Sequence, residues 1–436
     1  MKKTLSPVNC FLAFAVLATA FSCKKELAVK SPSPTLVAPN DSNFVSLSDA
    51  QKAALQVPTS NLAGDAMKKK QVDGTMAASS RQILDYTTYP NAASPSLYII
   101  NYAGGGFVVI PADKRVNPIL ALSGKGHFST ANALPTGLTN WLTTNHQNMQ
   151  ALRKNTVLAR PKSVNFLWSQ LAPPTTNTSG KVIDKALPPP PPCEPTTTTY
   201  QVGPYLQTTW AQGVPYNQNP GIPAGNYVYG AGRDPVGCVA TAMGQLMYYW
   251  KYPSSYNWSI MPLISTSYTA AGETEISRLM YNIGQSVQMV YAPTGSAPNA
   301  FEQNYIAVGL ESTFKYSSAS FQNWSQTNSY MTVQSNLDSG EPVILTGATS
   351  TDGHAWVCDG YMEINSTWCA TSTSPAGGEG TLLFDMNWGW NEAPVPGYVT
   401  YNNVDGWYDF DQWEVYNGNE LEYFQYNLTM TYNIHP

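Results

Sequence analysis

Cys238 is the residue best placed to act as a nucleophile. It stands in Val236-Gly237-Cys238-Val239-Ala240-Thr241-Ala242, and the run onward to Trp250 carries apolar residues at 239, 242, 243, 246, 249 and 250, a helical period. Pro253 stops the run. The spacing predicts a buried helix with Cys238 in its first turn, after a glycine that gives the backbone room to turn. Unpaired N–H groups and partial positive charge at a helix N-terminus stabilise a thiolate, the form of cysteine that attacks carbonyls. The backbone N–H of Cys238 could also face a developing oxyanion. A small core residue at a helix start fits the same segment, so the catalytic reading needs a partner.

That partner must exchange a proton. The chain has four histidines. His127 and His146 fall in the first part of the chain and His435 is the penultimate residue, expected to fray. His354 remains, in Gly353-His354-Ala355-Trp356-Val357-Cys358-Asp359-Gly360-Tyr361, a segment β in composition. A strand histidine facing a cysteine at a helix start forms the ion pair that cysteine peptidases use, although a strand histidine can also be purely structural. In Asp385-Met386-Asn387-Trp388-Gly389-Trp390, Asn387 could accept from the imidazole and fix its tautomer, with Trp388 shielding the bond; an Asn turn beside two packing tryptophans is the plainer alternative. Gln212, in Trp210-Ala211-Gln212-Gly213, could add an amide donor to the oxyanion hole, a signal that is slight by itself. Two histidines and no clustered Cys/His spacing beyond residue 200 argue against zinc, and neither metal nor cofactor is expected.

The elements that must position these groups follow from the wider chain. Its 436 residues suffice for two domains, and 43% apolar residues exclude wholesale disorder. The net charge of −5 and a single short basic run, Lys68-Lys69-Lys70, read as a solvated helix end, give no nucleic-acid surface. Lys2 and Lys3 precede an apolar stretch over 11–21 that is too short to span a bilayer, and Ala20-Phe21-Ser22-Cys23 followed by Lys24-Lys25-Glu26 resembles a bacterial lipoprotein signal. Ala20 stands where Leu is usual, so plain secretion is the alternative to a lipid anchor at Cys23. Either way the protein is expected outside the cytoplasm of a bacterium, as an outer-membrane lipoprotein or secreted. The expected organisation is a signal peptide at 1–22, a tether at 23–45, a small α+β unit at 46–155, a Pro/Thr-rich linker at 156–199 and a second unit at 200–436. Within the small unit, helices are predicted over 46–55 and 138–152 and strands over 97–102, 107–110 and 119–122. Pro188 to Pro192 make the linker stiff and exposed. Cys358 and Cys369, flanking a predicted turn at Asn365-Ser366, could form a disulfide.

The order of these motifs resembles the streptopain family of papain-like cysteine peptidases. Gly-Cys-Val-Ala-Thr-Ala at 237–242, Trp-x-Gln at 210–212 followed by Pro215-Tyr216-Asn217, Gly-His-Ala at 353–355, Asp-Gly-Tyr at 359–361 and Asn-Trp-Gly-Trp at 387–390 carry the resemblance over essentially all of 200–436. It implies a two-lobed α+β papain-like fold. It also implies Cys238 as nucleophile, His354 as general base, Gln212 as oxyanion-hole amide, and Asn387 with Trp388 as the group that orients the histidine. Segments 97–101, 106–110, 112–115 and 118–121 fall in the order of that family's propeptide. This implies an inhibitory domain at 46–155 that docks on the peptidase and is removed by cutting near 156–199. The expected protein is a secreted or surface-anchored endopeptidase made as a zymogen, hydrolysing protein substrates through a thioester. Where the family follows Asn-Trp-Gly-Trp with glycines, this chain has Asn391, Glu392, Ala393 and Pro394, and 365–380 is expected as an extended hairpin loop. A degenerate surface-binding lipoprotein and a transglutaminase or amidase are the rival readings.

Overall fold

The computed structural model describes residues 41–57, 70–73, 81–131, 134–154, 162–172, 196–299, 303–325, 328–348, 353–369, 376–391, 403–409, 415–417, 420–422 and 428–436. The signal segment, most of the tether, Cys23, Cys193 and the run Pro188 to Pro192 lie outside them.

The Cys238–Trp250 helix forms where its apolar period predicts, and its first ten residues are all buried. Gly237 caps it with φ 88°, and a Cβ there would lie 2.8 Å from the Ser296 carbonyl oxygen, so the sharp entry requires glycine. Lys251 ends it in the left-handed conformation. The Ala270–Ser286 helix packs beside it, with Ile276, Leu279, Met280 and Ile283 buried in the same core as Met243, Leu246 and Met247. This helical lobe rests on one face of a twelve-stranded sheet.

The sheet spans both parts of the chain. Its central strand, Gly353–Trp368, pairs antiparallel along one edge with Gly377–Asn387, and along the other first with Val343–Ala348 and then with Thr196–Val202. Beyond Gly377–Asn387 comes the short strand Gly406–Tyr408, and there the small unit joins: Leu122 pairs with Trp407 and Ala121 with Tyr408. The strands Ala121–Ser123, Phe107–Pro111, Leu97–Tyr102 and Ile83–Tyr89 continue the sheet outward. The predicted strands and the Thr136–Lys154 helix of the small unit are present, the first strand fully buried because both faces are covered. Two of the three apolar cores are shared: Leu138, Trp141 and Leu142 pack with Trp356, Trp388 and Tyr408, while Tyr98, Ile100 and Ile110 pack with Met362, Leu383 and Trp407. The small unit is therefore docked through a continuous sheet and common cores.

Several boundaries differ from the sequence reading. The segment after 155 is not all linker, because the Lys162–Gln170 helix buries Val164 and Leu167, and Leu171 follows into the same packing. The strand Thr196–Val202 crosses the expected boundary at 199, since its pairing with the central strand fixes it. Lys70 opens a strand, Lys70–Asp73, rather than ending a helix. Val45, placed in the tether, is fully buried and its N–H donates to Ala112. His435 does not fray: it closes the strand Thr429–His435, pairs with Ser318, and its Nε2 lies 3.3 Å from Glu341. Much of 365–380 is strand, with Asn365 paired to Gly380 and Trp368 to Gly377. The Cys358–Cys369 bridge is thereby excluded. The two residues sit at opposite ends of one extended run, at about 3.3 Å per residue, whereas a disulfide needs Cα atoms roughly 5.5 Å apart. Cys358 is a free, buried thiol and Cys369 is disulfide-bonded elsewhere.

Candidate active site

The two expected catalytic residues lie on elements packed against each other, the Cys238–Trp250 helix and the strand Gly353–Trp368. Strand alternation points Ala355 and Val357 into the core that contains Cys238, while His354 and Trp356 point to the other face. Both candidates are nearly sealed from solvent, Cys238 at 2% and His354 at 3% exposure. Cys238 is disulfide-bonded in this structure, which occupies the sulfur. His354 Nδ1 is buried with no hydrogen-bond partner, so no hydrogen bond joins the imidazole to Cys238 here.

The other ring nitrogen is held. His354 Nε2 lies 3.0 Å from the Trp388 carbonyl oxygen, the geometry of an N–H donating to a main-chain acceptor. Three tryptophans enclose the ring: Trp356 and Trp388 stack on it with centroids 5.8 and 6.3 Å away, and Trp390 meets it edge-on at 5.8 Å. Burial in this cage pushes the imidazole pKa down to about 4, against the upward pull of the Trp388 carbonyl.

Of the pair expected to orient the histidine, Trp388 meets the ring through its backbone carbonyl. The Asn387 side chain faces elsewhere. Asn387 Oδ1 accepts from Gln245 Nε2 at 2.9 Å, and its Nδ2 donates to the Thr208 carbonyl at 2.8 Å. The physical reason is alternation at a strand end: Asn387 closes Gly377–Asn387 and turns toward the helix, so the next carbonyl meets the imidazole. Gln212 lies beside the helix start, its carbonyl accepting from the N–H of Val236 at 3.0 Å and its residue 2% exposed.

Sequence reasoning missed two buried groups. Gln245, fully buried, accepts from Trp210 N–H at 3.0 Å and donates to Asn387, tying the Gln212 loop, the Cys238 helix and the Trp388 turn together. An amide two turns after Cys238 within an apolar helical run is a signal that could have found it. Asp405 accepts from Trp388 N–H at 2.8 Å through Oδ1 and from Asn391 Nδ2 at 3.1 Å through Oδ2. Nothing in the spacing links Asp405 to Trp388, which stands 17 positions earlier in the chain. Burial pushes Asp405 up to about 6, opposed chiefly by the Trp388 N–H and then by Lys125. Asp385 is raised to about 6 for the same reason, opposed by Lys125, and Asp359 beside it is raised well above the usual range by burial and then by Asp385.

The small unit covers this site. Gly137, in the first turn of the Thr136–Lys154 helix, approaches so closely that a Cβ would stand 2.8 Å from Trp388 Cζ3, 3.2 Å from Trp356 Cζ3 and 3.3 Å from His354 Cδ2. Trp141 Nε1 donates to the Asp409 carbonyl at 2.8 Å, and its ring meets Tyr408 edge-on at 5.2 Å. Ser123 Oγ donates to the Asp405 carbonyl at 2.9 Å, and His127 N–H to Asn403.

Residues 210–255 and 254–394 match the Peptidase C10 family, and residues 50–149 match the Spi protease inhibitor family. The chain therefore carries a region similar to the Peptidase C10 family. Its Peptidase C10 region follows an inhibitor-type region in the same chain, as the sequence resemblance implied. The thiol protease/hemagglutinin PrtT of Porphyromonas gingivalis is 26% identical over 357 residues, covering 70% of this chain and 35% of that protein. The chain thus spans about a third of the length of that relative. Streptopain of Streptococcus pyogenes is 24% identical over 341 residues, covering 68% of this chain and 71% of streptopain. The solved structure of a Prevotella intermedia prointerpain A fragment superposes with a TM-score of 0.53 at 24% identity, over 82% of this chain and 99% of that one. That likeness shows the fold, a papain-like α+β arrangement preceded by a smaller N-terminal unit.

Proposed function

We propose that this chain is the zymogen of a cysteine endopeptidase in which Cys238 attacks the peptide carbonyl and His354 handles the proton. The observation that carries this reading is the held imidazole: Nε2 is fixed by the Trp388 carbonyl at 3.0 Å, leaving Nδ1 unpaired. That arrangement suits a base whose second nitrogen is reserved for another group. Once the sulfur is released by reduction, the helix start favours its thiolate, and an imidazolium at position 354 completes the ion pair. The thiolate adds to the scissile carbonyl, and the oxyanion is met by the Cys238 N–H and the Gln212 amide. The imidazolium then donates its proton to the leaving amine, giving a thioester. The imidazole next takes a proton from water, whose attack releases the acid and restores the thiol–imidazole pair.

Latency follows from the same contacts. Under the docked helix the imidazole is kept neutral, with its pKa near 4, so the ion pair is disfavoured until residues 46–155 leave. We place the maturation cut in 156–199 and the substrates among proteins and peptides, in keeping with the thiol protease named in PrtT. We also propose export through residues 1–22, a tether at 23–45 with a lipid on Cys23 or plain release, and action outside the bacterial cytoplasm. The test is Cys238→Ala in the full chain under reducing conditions: a stable, uncleaved protein that does not digest casein. Casein digestion by that variant would overturn the nucleophile assignment. Mass spectrometry of the exported product reads the new N-terminus and any lipid together, and an intact residue 1 would refute export processing.

A further inference from the structure

We infer that Asp405 is a positioning residue of this active site: its carboxylate bridges Trp388 and Asn391 and so holds the one carbonyl that orients His354. The inference rests on the reading of His354 as the base.

The geometry is a staple across a turn. The chain leaves the strand Gly377–Asn387 and reverses through Trp388, Gly389 and Trp390, with Gly389 at φ 71°, a conformation a side chain would strain. Before the turn, the Asn387 side chain is tied to Gln245 and Thr208. After it, the Asn391 carbonyl accepts from Ser265 Oγ at 2.7 Å. Between these anchors rotation about the Trp388 backbone bonds would swing the 388–389 peptide and carry the Trp388 carbonyl away from His354. The Asp405 carboxylate limits that swing by holding both sides of it: Oδ1 fixes the preceding 387–388 peptide through the Trp388 N–H at 2.8 Å, and Oδ2 ties the Asn391 amide beyond the turn at 3.1 Å. A carboxylate is the one side chain able to accept at both oxygens. Asp405 is itself fixed, since its N–H donates to Asn403 Oδ1 at 2.8 Å and it is 6% exposed.

The second arm of the staple depends on this chain's own sequence. Asn391 stands where the related motif has glycine, and a glycine offers no side-chain donor. The titratable groups that face the Asp405 carboxylate are Asp385, Asp359, Tyr408 and Lys125, the last from the docked inhibitor region. When that region leaves, Lys125 and the Ser123 contact leave with it, and the carboxylate keeps only the two donors of the turn. The staple therefore belongs to the mature enzyme as well as to the zymogen.

The experiment uses the full chain, reduced and processed in trans by wild-type enzyme, with active sites titrated by an irreversible thiol-alkylating peptide. In D405N, one oxygen still accepts from Trp388, but the new NH2 meets the NH2 of Asn391. The expected result is a fall in kcat per titrated site of about 10- to 100-fold with KM little changed, the cost of a misplaced catalytic group. The alkaline limb of the pH profile should move to lower pH, because a weaker bond from the Trp388 carbonyl stabilises the imidazolium less. The double variant D405N/N391D exchanges the two side chains, restores a donor–acceptor match and should recover most of kcat. N391A removes one arm only and gives a smaller fall in kcat with the limb moved the same way, which decides the matter if D405N does not fold. Unchanged kcat per titrated site and an unmoved limb in the folded variants would overturn the inference. H354A measured alongside separates the two claims: an active H354A refutes the base assignment, whereas an inactive H354A beside a fully active D405N refutes only the role of Asp405.

Discussion

Replacing Gly137 with leucine should open the zymogen without touching the catalytic residues. A Cβ at this position would stand 2.8 Å from Trp388 Cζ3, closer than carbon atoms pack, with Trp356 and His354 only a few tenths of an ångström farther off. These neighbours are ring carbons in a filled aromatic cage, so the helix start must lift rather than push a flexible chain end aside. Overpacking of this kind costs about 1–3 kcal/mol. The helix-propensity gain from replacing glycine, about 0.8 kcal/mol, is present whether the unit is docked or not and so cancels from the docking equilibrium. Docking of the small unit should weaken by about 5- to 150-fold, since 1.4 kcal/mol is a tenfold change. Reduced, purified zymogen is incubated with a fluorogenic peptide while processing is followed on gels; G137L should show measurable hydrolysis before cleavage and faster processing, and G137A a smaller change in the same direction. If G137L stays as latent as wild type and the mature enzymes have equal kcat, then the close approach of this helix to His354 is not what silences the site.

Three further outcomes follow from the site. In the Cys238→Ala chain, His354 is held neutral in the folded state with a pKa near 4 against about 6.5 unfolded, so the unfolded chain binds the extra proton between those values. This contribution is fully present above pH 6.5 and is lost as pH falls toward 4, by up to about 3 kcal/mol; denaturant melts of C238A and C238A/H354Q at pH 7.5 and 4.5 should converge for the second variant, and parallel behaviour would refute the buried neutral imidazole. The raised Asp385 and Asp405 act with the opposite sign, stabilising below their unfolded range and losing that effect as pH rises through about 6, which is why the comparison is made between two variants sharing them. Asn387→Ala should lower stability by about 1–3 kcal/mol, because Gln245 Nε2 and the Thr208 carbonyl lose their partner, yet leave kcat per titrated site within a few-fold. A collapse of kcat with the alkaline limb moved to lower pH and unchanged stability would return Asn387 to the role the sequence suggested. Cys358→Ala should retain full activity, since the thiol is buried away from the Cys238 core and burial drives its pKa well up; loss of thiol labelling at Cys238 in that variant would contradict it.

Much of this protein was legible in one dimension because its signals are local. The apolar period after Gly237 specified a buried helix with Cys238 at its start, and a glycine there is the residue that the φ of 88° demands. The composition around His354 indicated a strand, and the order of the motifs indicated a likeness to the streptopain family. What the sequence could not give were relations between residues brought together by packing. Asn387 and Trp388 are neighbours in the chain, and only the strand end decides which of them meets the imidazole: the asparagine turns to Gln245, and the tryptophan carbonyl takes its place. No local pattern marks Asp405, which reaches Trp388 only because the sheet brings Gly406–Tyr408 beside Gly377–Asn387. The shared sheet between Ala121–Ser123 and Gly406–Tyr408, and the glycine pressed against His354, depend on contacts between distant segments that no local pattern encodes. Types and periods of residues fixed the parts and their chemistry; hydrogen-bond partners and close approaches arose only when the chain closed on itself, because each depends on where a second, remote backbone comes to lie.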